Sequence, residues 1–145
     1  MAKIEASVII DRPVEEVWKF VTDWSNVAKW DVEVLELKQT SSGPLGVGAT
    51  VELREKHFAP YSGRVIEDDT NRKFSLEATS GYAKGSIITF SMETTEGKTK
   101  FTNISDFKLS GFLKLVGPFI TPGARRYRVA SLANVKRILE SEAKP

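Results

Sequence analysis

From about residue 47 onward the chain repeats one pattern. Apolar side chains fall at every second position, a turn signal follows, and the period lengthens to that of a helix only near the end. Val47, Ala49, Val51 and Leu53 alternate with Gly48, Thr50, Glu52 and Arg54, which puts each set on one face of a strand. Strand-like segments follow near 61–68, 73–79, 82–94 and 98–109, with Asp68-Asp69-Thr70-Asn71, Ser80-Gly81 and Glu96-Gly97 as turns. Two more precede them. Over 3–10, Ile4, Ala6, Val8 and Ile10 alternate with polar residues, and Val32, Val34, Leu35 and Leu37 suggest a second strand ended by Ser41-Ser42-Gly43-Pro44. Turns this short join antiparallel neighbours, because parallel strands need a long crossover. A seven-stranded antiparallel sheet with its helices set apart from the strands is the α+β class.

Two short helices separate the first two strands. Pro13 suits a first helical position, Glu15 and Glu16 suit the first turn, and Val14, Val17, Trp18 and Val21 form one apolar face. Asp23 can cap a second helix carrying Trp24, Val27 and Trp30. A long C-terminal helix is expected to start at Thr121-Pro122 and run to about residue 141.

On a wheel of roughly 100° steps, Ala124, Tyr127, Leu132, Val135, Ile138 and Leu139 share one arc of that helix. Arg125, Arg126, Lys136, Arg137 and Glu140 lie opposite, in water. Arg128 and Ser131 fall inside the apolar arc. A guanidinium there either snorkels, pairs with a strand carboxylate, or lines a cavity and meets an anionic ligand group. The connector Gly111–Ile120 is very apolar. It reads either as a lid packed on the core or as a mobile gate that admits a greasy ligand or touches a membrane.

A length of 145 residues suits a single domain spanning 1–145. Without cysteine and with His57 as the one histidine, thiolate zinc sites, thiol nucleophiles and His–His metal pairs are excluded. No metal or cofactor is expected. A net charge of +2, with basic and acidic residues interspersed, argues against a nucleic-acid partner. The N-terminus lacks the apolar run of a signal peptide and no stretch is long enough to span a membrane, so a cytoplasmic location is expected. Gly46-Val47-Gly48 precedes a strand rather than a helix and reads as a turn, not a phosphate cradle.

Two motifs carry a resemblance to a known family. The first is Pro13-Val14-Glu15-Glu16-Val17-Trp18 with Val21-Thr22-Asp23 and Asn26 to Trp30. The second is Thr99 to Leu109 leading into Gly111-Phe112-Leu113 and the final helix. Together they resemble the START/polyketide-cyclase (SRPBCC) superfamily, helix-grip proteins related to the birch pollen allergen. The resemblance implies a curved seven-stranded antiparallel sheet, two short helices and a long C-terminal helix laid over a cavity. Members include lipid and sterol carriers, quinone-binding proteins, hormone receptors, aromatase/cyclases and hydroxylase subunits. This chain lacks the cysteine and histidine ligands of the iron-containing members, and fold alone does not choose among the other activities.

The side chains expected to line the cavity are Trp30, Leu53, His57, Phe90, Phe101, Asn103, Phe119, Tyr127, Arg128, Ser131 and Val135. Asn103 and Ser105 would place polar groups in an apolar wall if their face of the strand points inward; the opposite parity, with Thr102, Ile104 and Asp106 inward, stays open. Tyr61 and Tyr82 read as rim residues. His57 is a pocket proton carrier or a surface residue at a strand end. The leading expectation is a carrier of a hydrophobic small molecule such as a lipid, isoprenoid or polyketide, with transient membrane contact through Phe112–Ile120. The alternatives are a cyclase/dehydrase using His57, Tyr127 and Arg128 as weak catalytic candidates, and a protein-interaction adaptor.

Overall fold

The computed structural model describes residues 2–108 and 112–141, with side chains described over 3–108 and 123–141. The elements run β1 (Ala2–Ile10), α1 (Val14–Thr22), a 3-10 turn (Trp24–Asn26), α2 (Val27–Trp30), β2 (Val34–Gln39), β3 (Thr50–Glu55), β4 (Tyr61–Asp69), β5 (Lys73–Ala78), β6 (Ile87–Thr95), β7 (Lys98–Phe107) and α3 (Phe112–Ser141). The strands form one seven-stranded antiparallel sheet in the order β1-β7-β6-β5-β4-β3-β2. Bulges at Val34/Glu36 and Val65/Glu67 add local bend and twist, and the sheet curls into a half-barrel beneath the helices.

The alternation seen in the sequence becomes an inward face. Val51, Leu53, Tyr61, Val65, Phe74, Leu76 and Phe101 are buried against Val17, Val21, Trp30, Leu132, Val135 and Leu139 of the helices. Trp18 and Trp24 both meet Phe74 in T-shaped contacts, with centroids 6.4 and 5.4 Å away. In β7 the parity is settled: Thr99, Phe101, Asn103 and Ser105 are buried. Asp23 caps the 3-10 turn as expected, accepting from the Ser25 amide at 3.0 Å.

Several expectations are corrected. α3 begins at Phe112, so Thr121-Pro122 lies inside the helix and not at its start. A proline removes one backbone donor and crowds the carbonyl a turn earlier, which raises the cost of that turn without forbidding it. Pro13 is the N-cap of α1 and not its first helical residue. β6 begins at Ile87, because Gly81 and Gly85 at φ +85° and +92° bend residues 79–86 into a loop. Val47 is exposed ahead of β3.

Tyr127 is not part of the buried arc of α3. It is exposed beside the β3–β4 loop, where its ring stacks on His57 with centroids 6.4 Å apart. Lys136 and Glu140 are half-buried rather than wholly in water. Lys136 Nζ donates to the Ile9 carbonyl of edge strand β1 at 2.7 Å, and Glu140 accepts from the Asp11 amide at 2.8 Å. Phe119 and the other side chains of Phe112–Ile120, with their expected gate and membrane contact, lie outside the described residues.

Candidate functional site

The inward parity of β3 passes from Val51 through Leu53 to Glu55, which carries a carboxyl into the interior at the strand's end. Two phenols meet it. Tyr61, the first residue of β4, donates to Glu55 Oε2 at 2.8 Å, and Tyr82, from the 79–86 loop, donates to Oε1 at 3.1 Å. The two rings stand edge to face, 5.7 Å apart, and Phe58 stacks flat on Tyr82 at 4.0 Å. The loop can sit so close because Gly81 has no side chain: a Cβ there would lie 2.6 Å from Tyr61 Cβ.

A second charged group comes from α2 and α3. Arg128 Nη1 donates to Asp31 Oδ2 at 3.3 Å, with both side chains largely shielded from water. The other Asp31 oxygen accepts from the amides of Glu33 and Val34 at 2.9 and 3.2 Å, which fixes the carboxylate in place. Desolvation raises the Glu55 carboxyl above the usual carboxylate range, partly offset by the two tyrosine hydroxyls; Asp31 raises it further and Arg128 lowers it. The same burial, together with the neighbouring carboxylate, pushes both tyrosine hydroxyls well up. The phenols therefore stay protonated and act as donors.

Two voids of ≈ 30 Å³ each flank this cluster and share Glu55, Tyr61, Leu76, Ile88 and Arg128 as a common wall. A volume of this size holds about two waters. The inner void is otherwise mostly apolar, with Trp24, Trp30, Phe74 and Phe90 in its wall; the outer one reaches Tyr82, Ala83 and Phe107. The indole N–H groups of Trp24 and Trp30 are buried without a hydrogen-bond partner among the described residues.

Among the side chains expected in a cavity, Trp30, Leu53, Phe90 and Arg128 line the inner void. Phe101 and Val135 are packed in solid core, and Phe101 lies 5.7 Å from the Phe90 ring. Ser131 is buried and accepts from the Val32 amide at 3.1 Å. Asn103 accepts from the Ser105 hydroxyl at 2.9 Å, and its own Nδ2 is buried without a partner among the described residues. His57 is exposed, with Nδ1 2.6 Å from Glu33 Oε1. His57 and Tyr127 thus stand together at the surface, and neither lines a void.

Sequence reasoning passed over Asp31 and Glu55 and placed Tyr61 and Tyr82 on the rim. Glu55 had a signal, since it continues the inward alternation of Val51 and Leu53. Asp31 had none, because its role depends on where α3 lies. No helix among the described residues is long and apolar enough to cross a membrane.

Comparison with known proteins accords with this architecture. A protein of Thermus thermophilus superposes with a TM-score of 0.81 at 14% identity, over 97% of this chain and 100% of that one. The Zhui aromatase/cyclase from Streptomyces sp. R1128 gives 0.79 at 16% identity, over 96% and 93%. Ara h 8.0201 gives 0.68 at 11% identity, over 97% and 99%. These likenesses establish the helix-grip fold. No curated protein sequence matches the chain. The family model described as polyketide cyclase / dehydrase and lipid transport matches residues 1–140, and the chain belongs to that family.

Proposed function

We propose that this protein binds an apolar small molecule between the sheet and α3, with the polar end of the ligand meeting the Glu55–Tyr61–Tyr82–Arg128 wall. The observation that carries the reading is a half-buried carboxyl held by two phenols and set beside a fixed Arg128–Asp31 pair, all facing otherwise aromatic and aliphatic surface. Ligand sites have this texture, with a few oriented polar groups in an apolar lining. The family's description, which includes lipid transport, supports the same class of ligand. Voids of this size mean that a ligand enters by displacing side chains, so binding should be accompanied by movement of the aromatic wall. Trp24 and Trp30 report on it directly. Native mass spectrometry of the purified protein, with tryptophan fluorescence during titration with lipids and polycyclic aromatics, should detect a bound apolar molecule and a spectral shift. A chain that carries none, and whose melting temperature no such compound raises, rules the reading out.

A second reading is favoured by Glu55 itself. A carboxyl whose proton affinity is raised by burial, in contact with two hydroxyls, can give or take a proton at a bound carbonyl compound, as a cyclase or dehydrase requires. On that reading Glu55→Gln abolishes turnover of a polyketide-like substrate while binding persists. Turnover unaffected by the change removes Glu55 as the proton carrier.

A further inference from the structure

Resting on the ligand-binding reading above, we infer that the site accepts uncharged apolar molecules and turns away anionic ones, and that Asp31 sets this choice. An arginine in an apolar cavity wall ordinarily suggests an anchor for a carboxylate or phosphate. Here the guanidinium's charge is already balanced by a carboxylate, which takes one of its N–H donors. Arg128 donates to Asp31 at 3.3 Å, and Asp31 cannot swing away without also releasing the amides of Glu33 and Val34.

The other acidic and donor groups point the same way. Asp31 and Glu55 share the wall with Arg128, so an entering anion meets two acidic side chains beside one guanidinium. The donors it could otherwise use, the hydroxyls of Tyr61 and Tyr82, are turned to Glu55. An anion would therefore either share a guanidinium whose charge Asp31 already balances or displace Asp31 from it, and both are costly. A neutral carbonyl or hydroxyl needs neither. The indole N–H groups of Trp24 and Trp30, which have no hydrogen-bond partner among the described residues, and the phenol oxygens offer it weak, uncharged partners.

A matched series separates these outcomes: 2-naphthol, 2-naphthoate and 2-naphthylmethylamine, titrated calorimetrically into the full-length protein near neutral pH. The wild type is expected to bind naphthol at least about tenfold more tightly than naphthoate, a ratio equal to roughly 1.4 kcal/mol. Asp31→Asn keeps an amide oxygen for the Glu33 and Val34 amides and frees the guanidinium. Its affinity for naphthoate should rise about tenfold or more, as expected for a new charged hydrogen bond, with that for naphthol nearly unchanged. Adding Arg128→Gln should remove the gain.

Naphthoate binding as tightly as naphthol to the wild type, or the amine binding best, overturns the inference and leaves ligand binding intact. An unaltered naphthoate affinity in a folded Asp31→Asn protein also overturns it. The wild-type ranking stands as a test even if that variant does not fold. If none of the three compounds binds, the ligand-binding reading falls and the inference falls with it.

Discussion

Glu55 concentrates the physics of the site in one side chain. It lies at the third inward position of β3, where Val51 and Leu53 have set the parity, so the pattern that builds the core also delivers a carboxyl into it. Desolvation raises its proton affinity in the folded state above that of the unfolded chain, and its two phenol donors only partly offset this. The sign follows from linkage. Between the ordinary carboxylate range and Glu55's elevated range the native state holds more proton than the unfolded state, so stability falls as pH rises through that window and is undiminished below it. Glu55→Gln has no such titration. Its stability relative to wild type should therefore improve as pH rises from the ordinary carboxylate range through Glu55's elevated range and then level off, as read from urea unfolding of both proteins at a series of pH values. Parallel curves for the two proteins would show that Glu55 does not titrate in a buried setting.

At the scale of elements, α3 is fastened to the α2–β2 turn by three polar side chains, each three residues after the last. Arg128 pairs with Asp31, Ser131 accepts from the Val32 amide, and Asn134 donates to the Trp30 carbonyl at 3.1 Å. The intrusion of Arg128 and Ser131 into an apolar arc, visible in the sequence, is thus the mark of a seam against the α2–β2 turn. The 79–86 loop is positioned differently, by the absence of a side chain. Gly81 combines φ +85° with a Cβ position 2.6 Å from Tyr61, whereas Gly97 has φ +78° and open space around it. Alanine at either position carries the strain of a left-handed backbone, about 1 kcal/mol or more. Only at Gly81 must Tyr61 also move. Gly81→Ala should therefore destabilise more than Gly97→Ala in thermal melts and weaken naphthol binding, while Gly97→Ala leaves binding unchanged. Equal effects of the two substitutions would mean that the loop's contact with Tyr61 does not position Tyr82.

Across the whole molecule, the sheet, its strand count and the helix over it were legible because each rests on a local period, two for strands and 3.6 for helices. The start of α3 was not, because Thr121-Pro122 is a local signal for a helix start that the longer helix overrides. The site was legible only in part. Asp31, Glu55, Tyr61, Tyr82 and Arg128 come from five separate stretches of chain, and no periodicity relates them. The interior also differs from side to side. Around β1 and most of β7, Ile4, Ile10, Phe101 and Val135 are fully buried and line neither void, while the voids lie against β2–β6 and reach β7 only at its last residue, Phe107. The two sides should answer oppositely to changes in side-chain size. Phe101→Ala empties packed core and should cost about 3–5 kcal/mol. Leu76 borders both voids, so Leu76→Phe can grow into space that already exists. It should leave stability within about 1 kcal/mol of wild type, or raise it, while abolishing naphthol binding, which is the trade expected where a void is kept for function. Chemical denaturation together with calorimetric titration of each variant checks both halves. A Leu76→Phe protein destabilised by about 1–3 kcal/mol, the usual penalty of overpacking, would show that this side of the interior is as full as the other and has no room for a ligand.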